Sequence, residues 1–112
     1  MAKARILNIV ATECPPKNDA KFNKWYDEVH IPMLFKYKAM KKVTRYKVTG
    51  DSKDKPQYVA IYEYDSKEDL AALPASPEFK AAMEEMQGTW KGQMFDIKWA
   101  LSCEPIKTWE KK

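Results

Sequence analysis

The chain has 112 residues, of which 45% are hydrophobic and 12% aromatic, enough for one compact core and too little for two. Charged residues make up 32% and the mean hydropathy is −0.66, values that exclude a membrane-spanning chain, while four Trp and six Tyr argue against disorder. The net charge of +4 divides unevenly: residues 1–56 carry 13 basic and 6 acidic side chains, residues 57–112 carry 7 and 10. Two cysteines, Cys14 and Cys103, and one histidine, His30, supply neither a disulfide framework nor a His-rich metal site. The start of the chain lacks the apolar stretch of a signal peptide, so a cytoplasmic protein with reduced thiols is expected.

Residues 5–13 are short, β-branched and apolar on both parities, the pattern of a central strand covered on both faces. After Cys14-Pro15-Pro16, Asn18 or Asp19 can cap a helix whose apolar positions Phe22, Tyr26, Val29 and Met33 recur at helical spacing, widened by Trp25. Pro32 has no N–H for the carbonyl of Glu28 and disfavours helical geometry at Ile31, so a kink or break is expected directly after His30.

Residues 36–47 hold six cations, Lys36, Lys38, Lys41, Lys42, Arg45 and Lys47, and no acid; a solvated helix end and exposed strand explain them more simply than an anionic partner does. Residues 42–49 and 57–65 alternate with period two around a turn-rich stretch, a hairpin with a long loop. Ser66 with Asp69 caps a short helical turn ending near Pro74, and Ser76-Pro77 starts a second helix with Phe79, Ala82, Met83 and Met86 on its core face. Gly88 or Gly92 should stop that helix. Residues 93–104 then alternate as a strand, with Phe95, Ile97, Trp99, Leu101 and Cys103 expected on one side. A charged tail follows at residues 107–112, leaving residues 1–106 as a single domain.

The order β-α-β-β-α-β is the ferredoxin-like plan of the α+β class: a four-stranded antiparallel sheet with both helices on one face. All four strands nevertheless carry apolar or aromatic residues on both parities, as at Ile6/Leu7, Val43/Tyr46, Val59/Tyr62 and Trp99/Met94. The face without helices therefore invites a partner, most simply a second copy, giving a homodimer. The same order also describes an RNA-recognition domain, but residues 55–62 lack the glycine of its third strand and residues 5–10 lack an aromatic, so no nucleic-acid partner is expected.

The segment Trp25-Tyr26-Asp27-Glu28-Val29-His30-Ile31-Pro32, set in the first helix after one strand, resembles the signature of the EthD-like group of the dimeric α/β-barrel superfamily. That resemblance implies two ferredoxin-like sheets paired into a barrel, with a pocket in each subunit between helices and sheet. It also implies cofactor-free chemistry such as isomerisation, cyclisation, dehydration or monooxygenation on a small aromatic or cyclic metabolite. Other members of the superfamily bind haem, so a non-catalytic barrel holding a hydrophobic metabolite, or haem through His30, is the alternative.

The spacing has chemical content of its own. On an α-helix Asp27 and Tyr26, three and four residues before His30, can flank the imidazole, and a carboxylate there would raise its basicity for general acid/base work. The competing explanation has His30 donate to a carbonyl freed by Pro32, with Asp27 in solvent. Candidate substrate-binding residues are Tyr26, Asn8, Tyr46, Tyr62, Met83 and Asp96, joined more loosely by Tyr58, Tyr64, Met86 and Met94. A catalytic thiol is not expected, because neither cysteine has a histidine nearby in sequence.

Overall fold

A computed structural model describes residues 4–51, 53–91 and 95–111. Met94 and Gly92, named above as a pocket residue and a helix stop, lie outside the described residues. The elements follow the order β1 (Ile6–Glu13), α1 (Asp19–Trp25), a π-helical turn (Tyr26–His30), α2 (Ile31–Leu34), β2 (Met40–Lys47), β3 (Tyr58–Tyr64), α3 (Lys67–Ala72), α4 (Pro77–Trp90) and β4 (Asp96–Cys103). The strands form one antiparallel sheet in the order β2-β3-β1-β4, the ferredoxin-like arrangement.

Side-chain parity and register divide the sheet into two faces. Asn8, Val10 and Thr12 of β1 stand opposite or beside Tyr58, Ala60, Tyr62 and Tyr64 of β3, on the face that meets the helices. There an aromatic cluster of Phe22, Trp25, Tyr26, Trp90 and Phe95 fills the space between α1, α4 and the sheet, with ring centroids 5.0 to 6.3 Å apart. The opposite face carries Leu7, Ile9, Val59, Ile61, Tyr46, Trp99 and Leu101 with no helix over it; Trp99 is 40% exposed and Leu101 51%.

Two features depart from the sequence reading, at the first helix and in β4, and of the two stops offered for α4 Gly88 is passed. The first helix does not break after His30. It widens through the π-helical turn, in which Ile31 N–H bonds to the Tyr26 carbonyl five residues back, and it resumes as α2, with Phe35 N–H on the Ile31 carbonyl at 2.7 Å. The wider turn absorbs the donor that Pro32 lacks, and Ile31 keeps helical angles (φ −63°, ψ −45°).

Helix α4 runs past Gly88 to Trp90 and ends at Lys91 in the left-handed region (φ 48°), with Lys91 N–H on the Gln87 carbonyl. Trp90 is almost fully buried, and packing that indole outweighs the weak helix preference of Gly88.

Strand β4 does not keep one parity. Ala11 pairs with Trp99 but Thr12 pairs with Ile97, so an extra residue, Lys98, bulges out between them. Phe95 and Ile97 consequently face the helices, and Trp99, Leu101 and Cys103 face the other way.

The cationic run of residues 36–47 has the solvated character expected of it. Lys36, Lys38, Lys41, Lys42 and Lys47 are exposed, and the lysines of β2 guard an edge strand against unwanted pairing. Arg45 alone turns inward, as described below. No described helix is long and apolar enough to cross a membrane.

All three helix starts read from sequence are present, with Asn18 at the N-cap position of α1 and serines capping α3 and α4. Ser66 Oγ accepts from Asp69 N–H and Ser76 Oγ accepts from Phe79 N–H, each at 3.1 Å. The Ser76 hydroxyl also donates to the Leu73 carbonyl at 2.7 Å and is buried, so it closes the last turn before α4 and the first turn of α4 at once. Ser76→Ala should therefore lower unfolding stability by about 1–2 kcal/mol in urea titration, at the upper end for an N-cap. A change of only a few tenths would mean that water replaces both bonds.

Candidate functional site

A cavity of about 150 Å³ lies between the helix-covered face of the sheet, the π-helical turn and α4. Its walls are mostly apolar: Val10 and Ile97 from the sheet, Leu34 and Met40 near β2, and Phe79, Met83 and Met86 from one face of α4. Polar groups reach it from Asn8, Thr12, Tyr26, His30 and Tyr62. This volume is of the order of an apolar cavity that admits a single benzene ring.

The π-helical turn decides what faces the cavity. In an α-helix, residues three and four apart share a face; a turn closed by bonds to the fifth residue holds more residues, and three residues then fall well short of one revolution. Tyr26, four residues before His30, stays beside it with ring centroids 5.1 Å apart, edge to face. Asp27, three residues before it, is rotated away to meet Arg45, with Nη1 to Oδ1 at 2.7 Å. Asp27 is therefore not among the cavity-lining residues, and the carboxylate–imidazole contact expected from an α-helical spacing does not form.

His30 is only 6% exposed, and its Nδ1 is buried with no hydrogen-bond partner. The capping alternative, in which the ring donates to a freed carbonyl, has no such bond in the structure either. The ring instead stacks on Trp25 at 4.6 Å and 22°. Trp25 is itself fixed, because its Nε1–H donates to Glu85 Oε1 of α4 at 2.8 Å and the other carboxylate oxygen accepts from the Thr89 hydroxyl. Desolvation pushes the imidazole down to about 4, and the negative charge of Glu85 only partly opposes this, so His30 is neutral at pH 7.

The hydroxyls of Tyr26 and Tyr62, two further lining residues, hydrogen-bond to each other at 2.9 Å. Burial raises both phenols above their usual range, so both keep their protons. Arg45 lies over the Tyr26 ring at 4.5 Å and over Tyr58 at 5.3 Å, and its second guanidinium nitrogen donates to Asn23 Oδ1 at 2.9 Å. One side chain from β2 thus ties together α1, the π-helical turn and β3.

Of the residues read from sequence, His30, Tyr26, Asn8, Tyr62 and Met83 come together around the cavity, joined by Met86. Tyr46 stands on the opposite face of the sheet, 52% exposed, because its register partner is Val59. Asp96 is exposed at the start of β4 beside Glu13 and Gln57, away from the cavity. Asn8 donates its amide to the Leu101 carbonyl at 3.2 Å. Tyr58 is taken up outside the cavity, donating to Asp19 at 2.5 Å. The sequence reading missed Thr12 and Ile97, and it missed Arg45 as the clamp; the even parity that Thr12 shares with Asn8 was the signal available for it. Among the described residues no cluster of three or more His, Cys, Asp or Glu could hold a metal ion.

Residues 5–102 match the family model described as Domain of unknown function (DUF4286). The chain belongs to the DUF4286 family. No curated protein matches its sequence. Among solved structures, this DUF4286 protein is similar to an EthD family protein from Bacillus halodurans, with a TM-score of 0.67 and 16% identity over 90% of this chain and 99% of that one. It is also similar to HapK from Hahella chejuensis (TM-score 0.70, 11% identity, 96% and 98% covered). A third similar structure is a Bacteroides fragilis protein of unknown function, described as dimeric with a ferredoxin-like fold (TM-score 0.64, 13% identity, 93% and 99% covered). At these identities the likeness shows the fold, the one shared with the EthD-like group to which residues 25–32 bear their resemblance.

The depressed basicity of His30 has a measurable consequence. A free imidazole protonates near 6.5 and the folded one near 4, so on acidification the unfolded chain takes up the proton first. His30 has no such effect on stability above pH ~6.5; stability falls as pH drops through the interval, and the whole penalty, on the order of 3 kcal/mol, is present below ~4. Between pH ~7.5 and ~5, the wild type should lose about 2 kcal/mol more in urea unfolding than His30→Phe does. Equal losses in the two proteins would show that His30 ionises freely.

Proposed function

We propose that this protein binds a small ring compound in the cavity and exchanges a proton with it through His30, without a cofactor. One observation carries the reading: the neutral imidazole of His30 and the hydrogen-bonded pair Tyr26–Tyr62 line the same mostly apolar, ring-sized cavity. A neutral imidazole can take a proton from carbon next to a carbonyl, and the hydroxyls of Tyr26 and Tyr62 can stabilise the oxyanion that forms. This step begins an isomerisation, cyclisation or dehydration, or a deprotonation ahead of oxygen attack. Asp27 acts one step removed, as the anchor that holds the π-helical turn to Arg45.

The test uses solvent exchange. With a single-ring ketone in D₂O, the wild type should speed exchange of the α-protons, and His30→Gln should lower that rate by ~10²–10⁴ while circular dichroism stays unchanged. Exchange as fast in the variant as in the wild type would sink the acid/base role.

The assembly we propose is a homodimer paired through the helix-free sheet face. Trp99, Leu101 and Tyr46 stand half-exposed there beside Leu7, Ile9, Val59 and Ile61, an apolar patch that a monomer would leave in water. The Bacteroides fragilis structure supports a dimer in this fold. The chain mass is 13.1 kDa, so light scattering at micromolar concentration should give about 26 kDa, and Trp99→Glu with Leu101→Glu should halve it. A wild-type value near the mass of one chain would overturn the dimer. Two unpaired thiols, Cys14 buried and Cys103 half-buried, fit residence in the reducing cytoplasm.

A further inference from the structure

We infer that the ligand of this cavity is a neutral monocyclic compound rather than a carboxylate. The inference rests on the reading that the cavity is a ligand site, and it adds the charge of the ligand.

The support is the charge of the walls. Among the described residues lining the cavity there is no Lys, Arg, Asp or Glu. The nearest guanidinium, that of Arg45, is committed to Asp27 and Asn23. The nearest carboxylate, Glu85, is close enough to His30 to favour its charged form, so an anionic ligand beside His30 would meet the same field as repulsion. An anion in the cavity would therefore be desolvated without a counter-charge, which costs several kcal/mol.

Benzamide and benzoate separate these cases, being of nearly the same shape and differing in charge at pH 7.5. Because His30 is the only histidine of the chain, its ring signals in the NMR spectrum of the intact protein need no assignment and report directly on occupancy of this cavity. Benzamide should move the His30 signals saturably, and benzoate should need at least ~100-fold higher concentration for the same change, the factor expected from a few kcal/mol. Benzoate binding as tightly as benzamide, or more tightly, would overturn the inference while leaving a ring-binding cavity in place. If neither compound moves the His30 signals, the cavity is not a ring site and this inference falls with it.

Discussion

Pro32 brings no backbone donor to a helix that must still reach Leu34, and the way the chain resolves this shapes everything around it. The turn before it widens, so that Ile31 bonds to Tyr26, and the helix is continuous again by Phe35. Widening changes which residues share a face. Tyr26 and His30 remain neighbours on the cavity side, while Asp27 swings to Arg45. A regular α-helix would have set Asp27 beside His30, and the imidazole would then have carried a charge partner and a higher affinity for protons. The π-helical turn instead produces a neutral, partly unsatisfied ring in an apolar space. Such turns persist when their surroundings over-determine them, and here Arg45 supplies the constraint, stacked on Tyr26 and forked onto Asp27 and Asn23.

Support for the ring comes in layers from separate parts of the chain. Trp25 holds one face of His30 by stacking, Glu85 holds Trp25, and Thr89 holds Glu85. The last two residues belong to α4, whose opposite end is set by the Ser76 cap and whose inner face supplies Phe79, Met83 and Met86 to the cavity. The methionines are flexible enough to adapt to a ligand, whereas the stacked aromatic rings are not. The cavity thus has one rigid wall, which carries the polar groups, and one adaptable wall, which carries almost none.

How far the fold could be read from residues depended on whether the signal was local. Ser66, Ser76-Pro77, the turn-rich stretch after Gly50 and the double-parity strands all act within a few positions, and each element they announce is present within three residues at its boundaries. The Phe79, Met83 and Met86 stripe was legible for the same reason. The π-helical turn was not, because Pro32 signals only that a donor is missing, and a break or a wider turn can both accommodate that. The β4 bulge was hidden too: residues 95–103 alternate without interruption, and only pairing with β1 shows that Lys98 is extra. That bulge sends Ile97 to the cavity and Trp99 to the opposite face, so the strand serves both surfaces. Asp27, Tyr46 and Asp96 were candidates by residue type and position, but the first lost its place to the turn geometry and the other two to sheet register.

A histidine that protonates only near 4 looks ill suited to remove protons at neutral pH, and the proposed reaction answers this through the charges it creates. Desolvation suppresses the imidazolium because nothing on the walls answers its charge. A ligand that surrenders a proton becomes an anion at close range, and in a low-dielectric space that ion pair is far stronger than in water. The Tyr26–Tyr62 pair, which lines the same cavity, is the proposed source of a hydrogen bond to that anion. In the proposed reaction, transfer would create the partner that each charge needs, so that neither charge would exist alone, and a buried neutral base is useful only under that condition. The proposal also gives the position of Asp27 a meaning: a permanent carboxylate beside His30 would stabilise the imidazolium before any ligand arrived, and would repel the anion produced by proton transfer.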